Sequence, residues 1–222
     1  MLNKSKGNMY EFINATWNSI KGACLHDCAY CYMKRWGKLN PVRLDEKELK
    51  CNLGSDNFIF VGSSCDIFAA DIPAEWIEKT LEHCRKFDNR YLFQSKNPSR
   101  MMESLNAGNM PDNAVFCTTI ETNRFYPEIM RNSPPIKERV DAMRELSNRA
   151  DVYVTIEPIL DFDLSDMVEL LKQCNAKQIN IGADSGGNKL PEPIKEKLLQ
   201  LIEAIKSFSV IDKKRNLARM LK

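Results

Sequence analysis

Apolar residues along this chain fall into short unbroken runs, separated by stretches where they recur every third or fourth position. The runs "NFIFVGS" (57–63), "RYLFQS" (90–95), "NAVFCTT" (113–119), "ADVYVTIEP" (150–158) and "KQINIGA" (177–183) are too short for helices. They also lack the polar alternation of a half-exposed strand, so they predict strands buried on both faces. A weaker run, "NATWNSI" (14–20), predicts one more ahead of them. The stretches between carry helical spacing. "PAEWIEKTLEHCRKF" begins with Pro73 and sets Trp76, Ile77, Thr80, Leu81 and Cys84 along one face. "SRMMESLNAG" stops at Gly108, "PIKERVDAMRELSNR" starts after Pro134, and "LSDMVELLKQCN" and "PEPIKEKLLQLIEAIKSF" follow. Six strands alternating with helices imply a parallel sheet with right-handed crossovers. No repeat, linker or low-complexity segment interrupts them, so the expectation is a single domain over 1–222. Its core would run from about 14 to 208, followed by a short basic tail at 209–222.

Composition narrows this little. Of the 222 residues 43% are hydrophobic and 28% charged, as in ordinary globular chains. Lys+Arg 32 against Asp+Glu 30 is too balanced to announce a nucleic-acid or membrane surface. "MLNKSKGNMYEF" has no apolar leader and no run is long enough to span a bilayer, so the expected place is the cytoplasm, away from membranes. In that reducing compartment the eight cysteines are expected as thiols or metal ligands.

Three of them stand together in "GACLHDCAYCYMKRWG" (22–37): Cys24, Cys28 and Cys31. A fixed three-cysteine pattern arises by chance in about 1% of chains of this composition. The number is awkward, since a disulfide uses two thiols and a closed zinc or iron–sulfur site usually four. Cys51, Cys65, Cys84, Cys117 and Cys174 are scattered singly and read as inert thiols. His26, between two cysteines, reads as an exposed loop residue rather than a zinc ligand, and His83 as a solvated one. Trp17, Trp36 and Trp76 read as packing residues, and "IDKKRNLARMLK" as a solvated terminal helix.

In parallel α/β sheets and barrels ligands sit at the carboxyl ends of strands. There the chain places Ser63, Ser64 and Asp66 after the second predicted strand, and Gln94, Ser95 and Lys96 after the third. Thr118, Thr119 and Glu121 follow the fourth, Thr155 and Glu157 the fifth, and Asp184, Ser185 and Gly186 the sixth. Each alone is an ordinary loop or cap residue. Together they outline one polar rim.

Cys24-x3-Cys28-x2-Cys31 with Tyr30 before the last cysteine, just after a first strand, resembles the radical S-adenosylmethionine superfamily. The order "TWNSIKGACLHDCAYCY", "VGSSCDIF", "FQSKNP", "TTIET", "IEPIL", "IGADSG" is similar to a phage-type radical SAM family of mostly unassigned function, related to spore photoproduct lyase and the DNA repair photolyase-like proteins. The resemblance runs from about Trp17 to Phe208 and implies a partial (βα)6 TIM-like barrel. It implies a 4Fe–4S cluster on Cys24, Cys28 and Cys31, with one iron left open for S-adenosylmethionine. Reductive cleavage would give methionine and a 5′-deoxyadenosyl radical, which takes a hydrogen atom from a substrate.

By the same resemblance Tyr30 lies near the adenine, and Ser63, Ser64 or Asp66 meets the methionine amino group. Lys96 pairs with the methionine carboxylate, Thr119 and Glu121 reach the ribose hydroxyls, and Glu157 and Asp184 contact cofactor or substrate. No residue is assigned to the chemistry on the substrate. The implied partners are an electron donor of flavodoxin or ferredoxin type, and a nucleic acid or partner protein closing the barrel. The rival reading is a non-catalytic module holding zinc or an electron-transfer cluster, which needs a fourth protein ligand near the triplet.

Overall fold

A computed structural model describes residues 1–4 and 10–222. In chain order its strands are β1 (Asn3–Lys4), β2 (Ala15–Trp17), β3 (Ile20–Lys21), β4 (Arg43–Leu44), β5 (Phe58–Val61), β6 (Arg90–Gln94), β7 (Ala114–Thr119), β8 (Asp151–Ile156), β9 (Gln178–Ile181) and β10 (Val210–Lys213). The α-helices are α1 (Ala74–Arg85), α2 (Pro98–Asn106), α3 (Pro127–Met130), α4 (Ile136–Leu146), α5 (Leu164–Gln173) and α6 (Lys195–Ile205).

All six predicted runs form strands of one sheet, in the order β1-β2-β5-β6-β7-β8-β9-β10. Neighbours from β2 to β10 pair in parallel, and only β1 is antiparallel, at the edge. This is the mostly parallel α/β architecture that the alternating pattern implies.

The period of two along each strand divides the interior. Ile59, Val61, Tyr91, Phe93 and Phe116 pack in the main core with the helices. Their alternates Phe60, Leu92, Val115, Cys117 and Tyr153 point to the other face, where Tyr10 and Ile13 join them in a second cluster. The segment before β2 therefore fills the inner side of the curved sheet, a contribution that the apolar pattern of 14–20 does not reveal.

Four readings change in the body of the chain. Residues 14–20 split, with Ala15–Trp17 in the main sheet and Ile20–Lys21 pairing with Arg43–Leu44 in a separate ribbon. No α-helix lies between β2 and β5; the cysteine loop runs instead into a 3-10 turn at Tyr32–Trp36. Trp36 on that turn is 73% exposed, so it does not pack, whereas Trp17 is buried and Trp76 lies against the core. His83 is buried rather than solvated, stacked on Trp17 and hydrogen-bonded through Nε2 to the Cys51 carbonyl at 2.8 Å.

The largest change is at the tail. Val210–Lys213 forms a seventh parallel strand on β9, with Lys213 opposite Ile181. A 3-10 helix over Arg215–Met220 then buries Leu217. The exposed edge of β9 has unpaired peptide groups, and a following strand satisfies them. Val210–Lys213 is thus part of the sheet, and the 3-10 turn after it packs on the core, so 209–222 is not a solvated helix. Among the described residues no helix is long and apolar enough to cross a membrane.

Candidate functional site

A cavity of about 1050 Å³ opens at the carboxyl ends of the parallel strands. Cys24, Cys28 and Cys31 line it, together with Tyr30, Ser63, Ser64, Asp66, Lys96, Thr119, Glu157 and Asp184. Glu121 alone of the predicted set does not. It is fully buried beneath Lys96, outside the cavity lining.

The cysteine loop is held in tight turns, with Asp27 N donating to the Cys24 carbonyl at 3.2 Å and Cys31 N to that of Cys28 at 3.1 Å. The segment around α3 clamps it from outside. Ala29 N donates to the Ile129 carbonyl at 2.9 Å, Asn132 N to that of His26 at 3.2 Å, and Asn132 Nδ2 to that of Leu25 at 2.9 Å. Arg131 pairs with Asp27, and Cys28 Sγ lies 3.4 Å from Ser133 Oγ. Cys28 is buried, Cys24 and Cys31 half-buried. A hydrogen bond shared with Cys65, then burial, hold the Cys24 thiol well above its ordinary pKa, and burial raises that of Cys31.

His26 is buried, contrary to the exposed-loop reading. Its Nε2 lies 2.8 Å from Asp66 Oδ2, which also accepts from Ser95 Oγ and Lys96 N at 2.9 Å each. Phe68 N reaches Oδ1 at 3.0 Å. Burial opposes the charge on Asp66, but these donors outweigh it and lower the pKa. Asp66 faces the cavity, yet four donors already hold its carboxylate. Gly62, at φ +75°, makes the turn into this segment; a Cβ there would lie 2.6 Å from Ile67 Cγ2.

A second hub lies under Lys96. Glu121 Oε1 accepts from Lys96 Nζ and the Tyr30 hydroxyl, and Oε2 from Arg139 Nη1 at 2.9 Å. Arg139 is itself buried, and its Nη2 has no partner among the described residues. Burial pushes the Glu121 carboxyl up, but the Lys96 and Arg139 charges and the Lys96 and Tyr30 hydrogen bonds bring it down to about 2. One carboxylate against two cations leaves a positive surplus beside the cavity.

The tail builds the third hub. Glu157 accepts from Lys214 Nζ and, at 2.7 Å, from Asn216 Nδ2. Its side chain lies so close over residue 182 that a Cβ on Gly182 would come within 2.7 Å of Oε1. Asp184 turns back on its own loop, accepting from Gly186 N at 2.9 Å and Asn188 Nδ2 at 2.6 Å. Ser63 Oγ receives Asn18 Nδ2 at 3.1 Å, and Thr119 Oγ1 receives Gln94 Nε2 at 3.3 Å.

Lys214→Ala is expected to cost about 2 kcal/mol, because it strips a charged hydrogen bond from a half-buried carboxylate. A urea titration showing an unchanged midpoint would mean that the tail contributes nothing to this wall.

Sequence reading missed Asn18, His26, Arg139, Lys214 and Asn216. Arg139 had a signal, a charge set on the apolar face of α4 beside Val140 and Met143. The others had none within their own segments.

Among the described residues no three His, Cys, Asp or Glu side chains converge as they would around one ion. A cubane does not require that, since its thiolates bind different irons. The donor set, three thiols at the cavity wall beside a surplus of positive charge, fits an iron–sulfur cluster with an anionic ligand next to it.

A family model described as "Protein of unknown function (DUF5131)" matches residues 8–197. No curated protein matches the chain. Among solved structures it is similar to a spore photoproduct lyase variant with bound AdoMet and dinucleoside spore photoproduct, at TM-score 0.70 and 13% identity over 95% of this chain and 78% of that one. It is also similar to Streptococcus suis SuiB bound to S-adenosylmethionine, at TM-score 0.59 and 11% identity over 90% of this chain and 50% of that one. SuiB bound to its precursor peptide SuiA gives TM-score 0.62 and 11% identity, covering 91% and 49%. At these identities the likeness is one of fold, and the fold of this chain is theirs.

Proposed function

Because the chain belongs to the DUF5131 family, whose description carries no activity, its own site has to supply one, and we propose a radical S-adenosylmethionine enzyme. Cys24, Cys28 and Cys31 hold a 4Fe–4S cluster, and the strand-end residues hold S-adenosylmethionine. One observation carries this reading: the three thiols and the polar strand ends line the same cavity. When bound and reduced, cluster and cofactor supply a 5′-deoxyadenosyl radical that takes a hydrogen atom from a substrate.

The chain's part is binding and exclusion. Lys96, with the positive surplus of its hub behind it, suits the methionine carboxylate. Glu121 and Arg139 fix Lys96 and the Tyr30 hydroxyl from below, leaving the Tyr30 ring beside the adenine. Ser63 and Ser64 present hydroxyls for the methionine amino group, and Thr119 one for the ribose. Glu157 and Asp184, both fastened by neighbours, shape the wall against cofactor or substrate. Tyr10, Phe60 and Ile13 close the floor with apolar surface, which keeps water from a reactive radical.

For the substrate we favour a nucleic acid. Arg35 and Lys213, on opposite walls of the cavity, have no carboxylate partner among the described residues. The lyase neighbour binds a dinucleoside. A flavodoxin- or ferredoxin-type donor in the cytoplasm would deliver the electron.

A second reading, a closed four-thiolate site for zinc or electron transfer alone, rests on Cys65, a fourth thiol lining the same cavity.

Protein reconstituted anaerobically with iron and sulfide should carry about four of each per chain. With dithionite it should then convert S-adenosylmethionine slowly to 5′-deoxyadenosine. Formation of S-adenosylhomocysteine alone would favour methyl transfer instead. Deuterium passing from a labelled oligonucleotide into 5′-deoxyadenosine supports the substrate class; transfer from none tested removes it.

A further inference from the structure

We infer that His26 is a positioning residue for the cluster, locking the cysteine loop through Asp66 to the strand edge that presents Lys96. This rests on the function proposed above.

The geometry has three parts. His26 stands midway between Cys24 and Cys28, only 3% exposed, on the cavity wall. An ionised carboxylate only accepts, so at 2.8 Å from Asp66 Oδ2 it is His26 Nε2 that carries the proton and donates. The same Oδ2 takes Ser95 Oγ and Lys96 N, both at 2.9 Å. One oxygen of Asp66 therefore joins the cysteine loop, through His26 40 residues before it, to the end of β6, through Lys96 30 residues after it.

The second nitrogen points to why the ring is there. Nδ1 is buried and has no hydrogen-bond partner among the described residues. A sealed polar atom without a partner costs roughly 1–3 kcal/mol, so such atoms are rare unless something absent from the bare protein meets them. A single residue separates this ring from Cys24 on one side and from Cys28 on the other. A ring anchored by a carboxylate at one nitrogen, with its other nitrogen free beside the ligands, is the arrangement by which outer residues orient metal ligands and tune bound clusters. A simple packing role would explain the burial but not the free nitrogen, since an apolar side chain would fill the space at lower cost.

The two nitrogens can be tested separately. Gln places an amide donor where Nε2 stands and offers nothing at Nδ1; Ala removes both. After anaerobic reconstitution, loss of iron to an excess of EDTA should be about tenfold or more faster in His26→Ala than in wild type. His26→Gln should recover most of that difference. Redox titration followed by electron paramagnetic resonance should show both variants displaced in midpoint potential in the same direction. Melting of the cluster-free proteins should agree within a few degrees, since the ring's bond to Asp66 is a single contact. In a double variant with Asp66→Asn, the faster iron loss should not add to that of His26→Ala.

If His26→Gln loses iron as fast as His26→Ala, the tie to Asp66 is not what matters. If His26→Ala matches wild type in iron retention and potential, the ring merely packs. Wild-type protein that takes up no cluster overturns the proposed function together with this inference, and is thereby told apart from a failure of the inference alone.

Discussion

Cys28→Ala is expected to leave the protein folded but without its cluster: iron and sulfide fall to background after reconstitution, and the visible absorption disappears. Cys24→Ala and Cys31→Ala should do the same, because with only three thiolates no spare ligand can replace a lost one. Cys84→Ala is the control, for its thiol is buried beneath α1 in the main core. The informative variant is Cys65→Ala. Cys65 lines the same cavity as Cys24 but belongs to the turn after β5, outside the motif. Full iron with Cys65→Ala keeps one iron open for S-adenosylmethionine. Loss of iron would instead establish the closed four-thiolate site, and Cys28→Ala retaining a full cluster would end both readings.

Glu121→Ala should be the most destabilising single change near the site. Among the described residues its carboxylate is the only anion bonded to both Lys96 and Arg139, and both Glu121 and Arg139 side chains are 0% exposed. Removing one partner of a buried ion pair leaves an uncompensated charge and costs roughly 3–5 kcal/mol. In a chain of this size that lowers the melting temperature by about 10 °C.

The pH dependence follows from the same contacts. Glu121 has an ordinary pKa of 4.5, held down to about 2 in the folded protein. A depressed carboxylate stabilises the fold fully above its unfolded value, and that contribution, of order 3 kcal/mol, is lost as pH falls from about 4.5 towards 2. Glu121→Gln should therefore be less stable than wild type at neutral pH, and the gap should narrow across that window. Urea midpoints measured from pH 7 to pH 2.5 test this; a gap independent of pH would mean that packing, not charge, is the role of Glu121.

These hubs also mark where local reading ended. The strands from β5 to β9 were legible because a strand buried on both faces must be apolar along its length, and nothing else in the chain imitates that. β10 was not, since "VIDK" is half-exposed with a lysine and an aspartate, and forms because β9 offers an edge. Glu121 was recognised as a strand-end carboxylate, but its burial was not legible. Its depth depends on Arg139, 18 residues ahead, and Tyr30, 91 residues behind.

By itself, the sequence determined what short stretches of chain decide: the alternation of strands and helices, the three-cysteine loop after the first strand, and the strand ends that carry polar residues. Backbone preference and side-chain spacing act over a few residues, so they are written where they act. Only the tertiary structure decided which of those polar groups face the cavity with free valence and which are spent on one another. It buried His26 against Asp66, set Lys96 over Glu121 and Arg139, and brought Lys214 and Asn216 from the tail onto Glu157. A buried charge must find its partners wherever the fold places them, and those partners come from segments that have no local reason to meet.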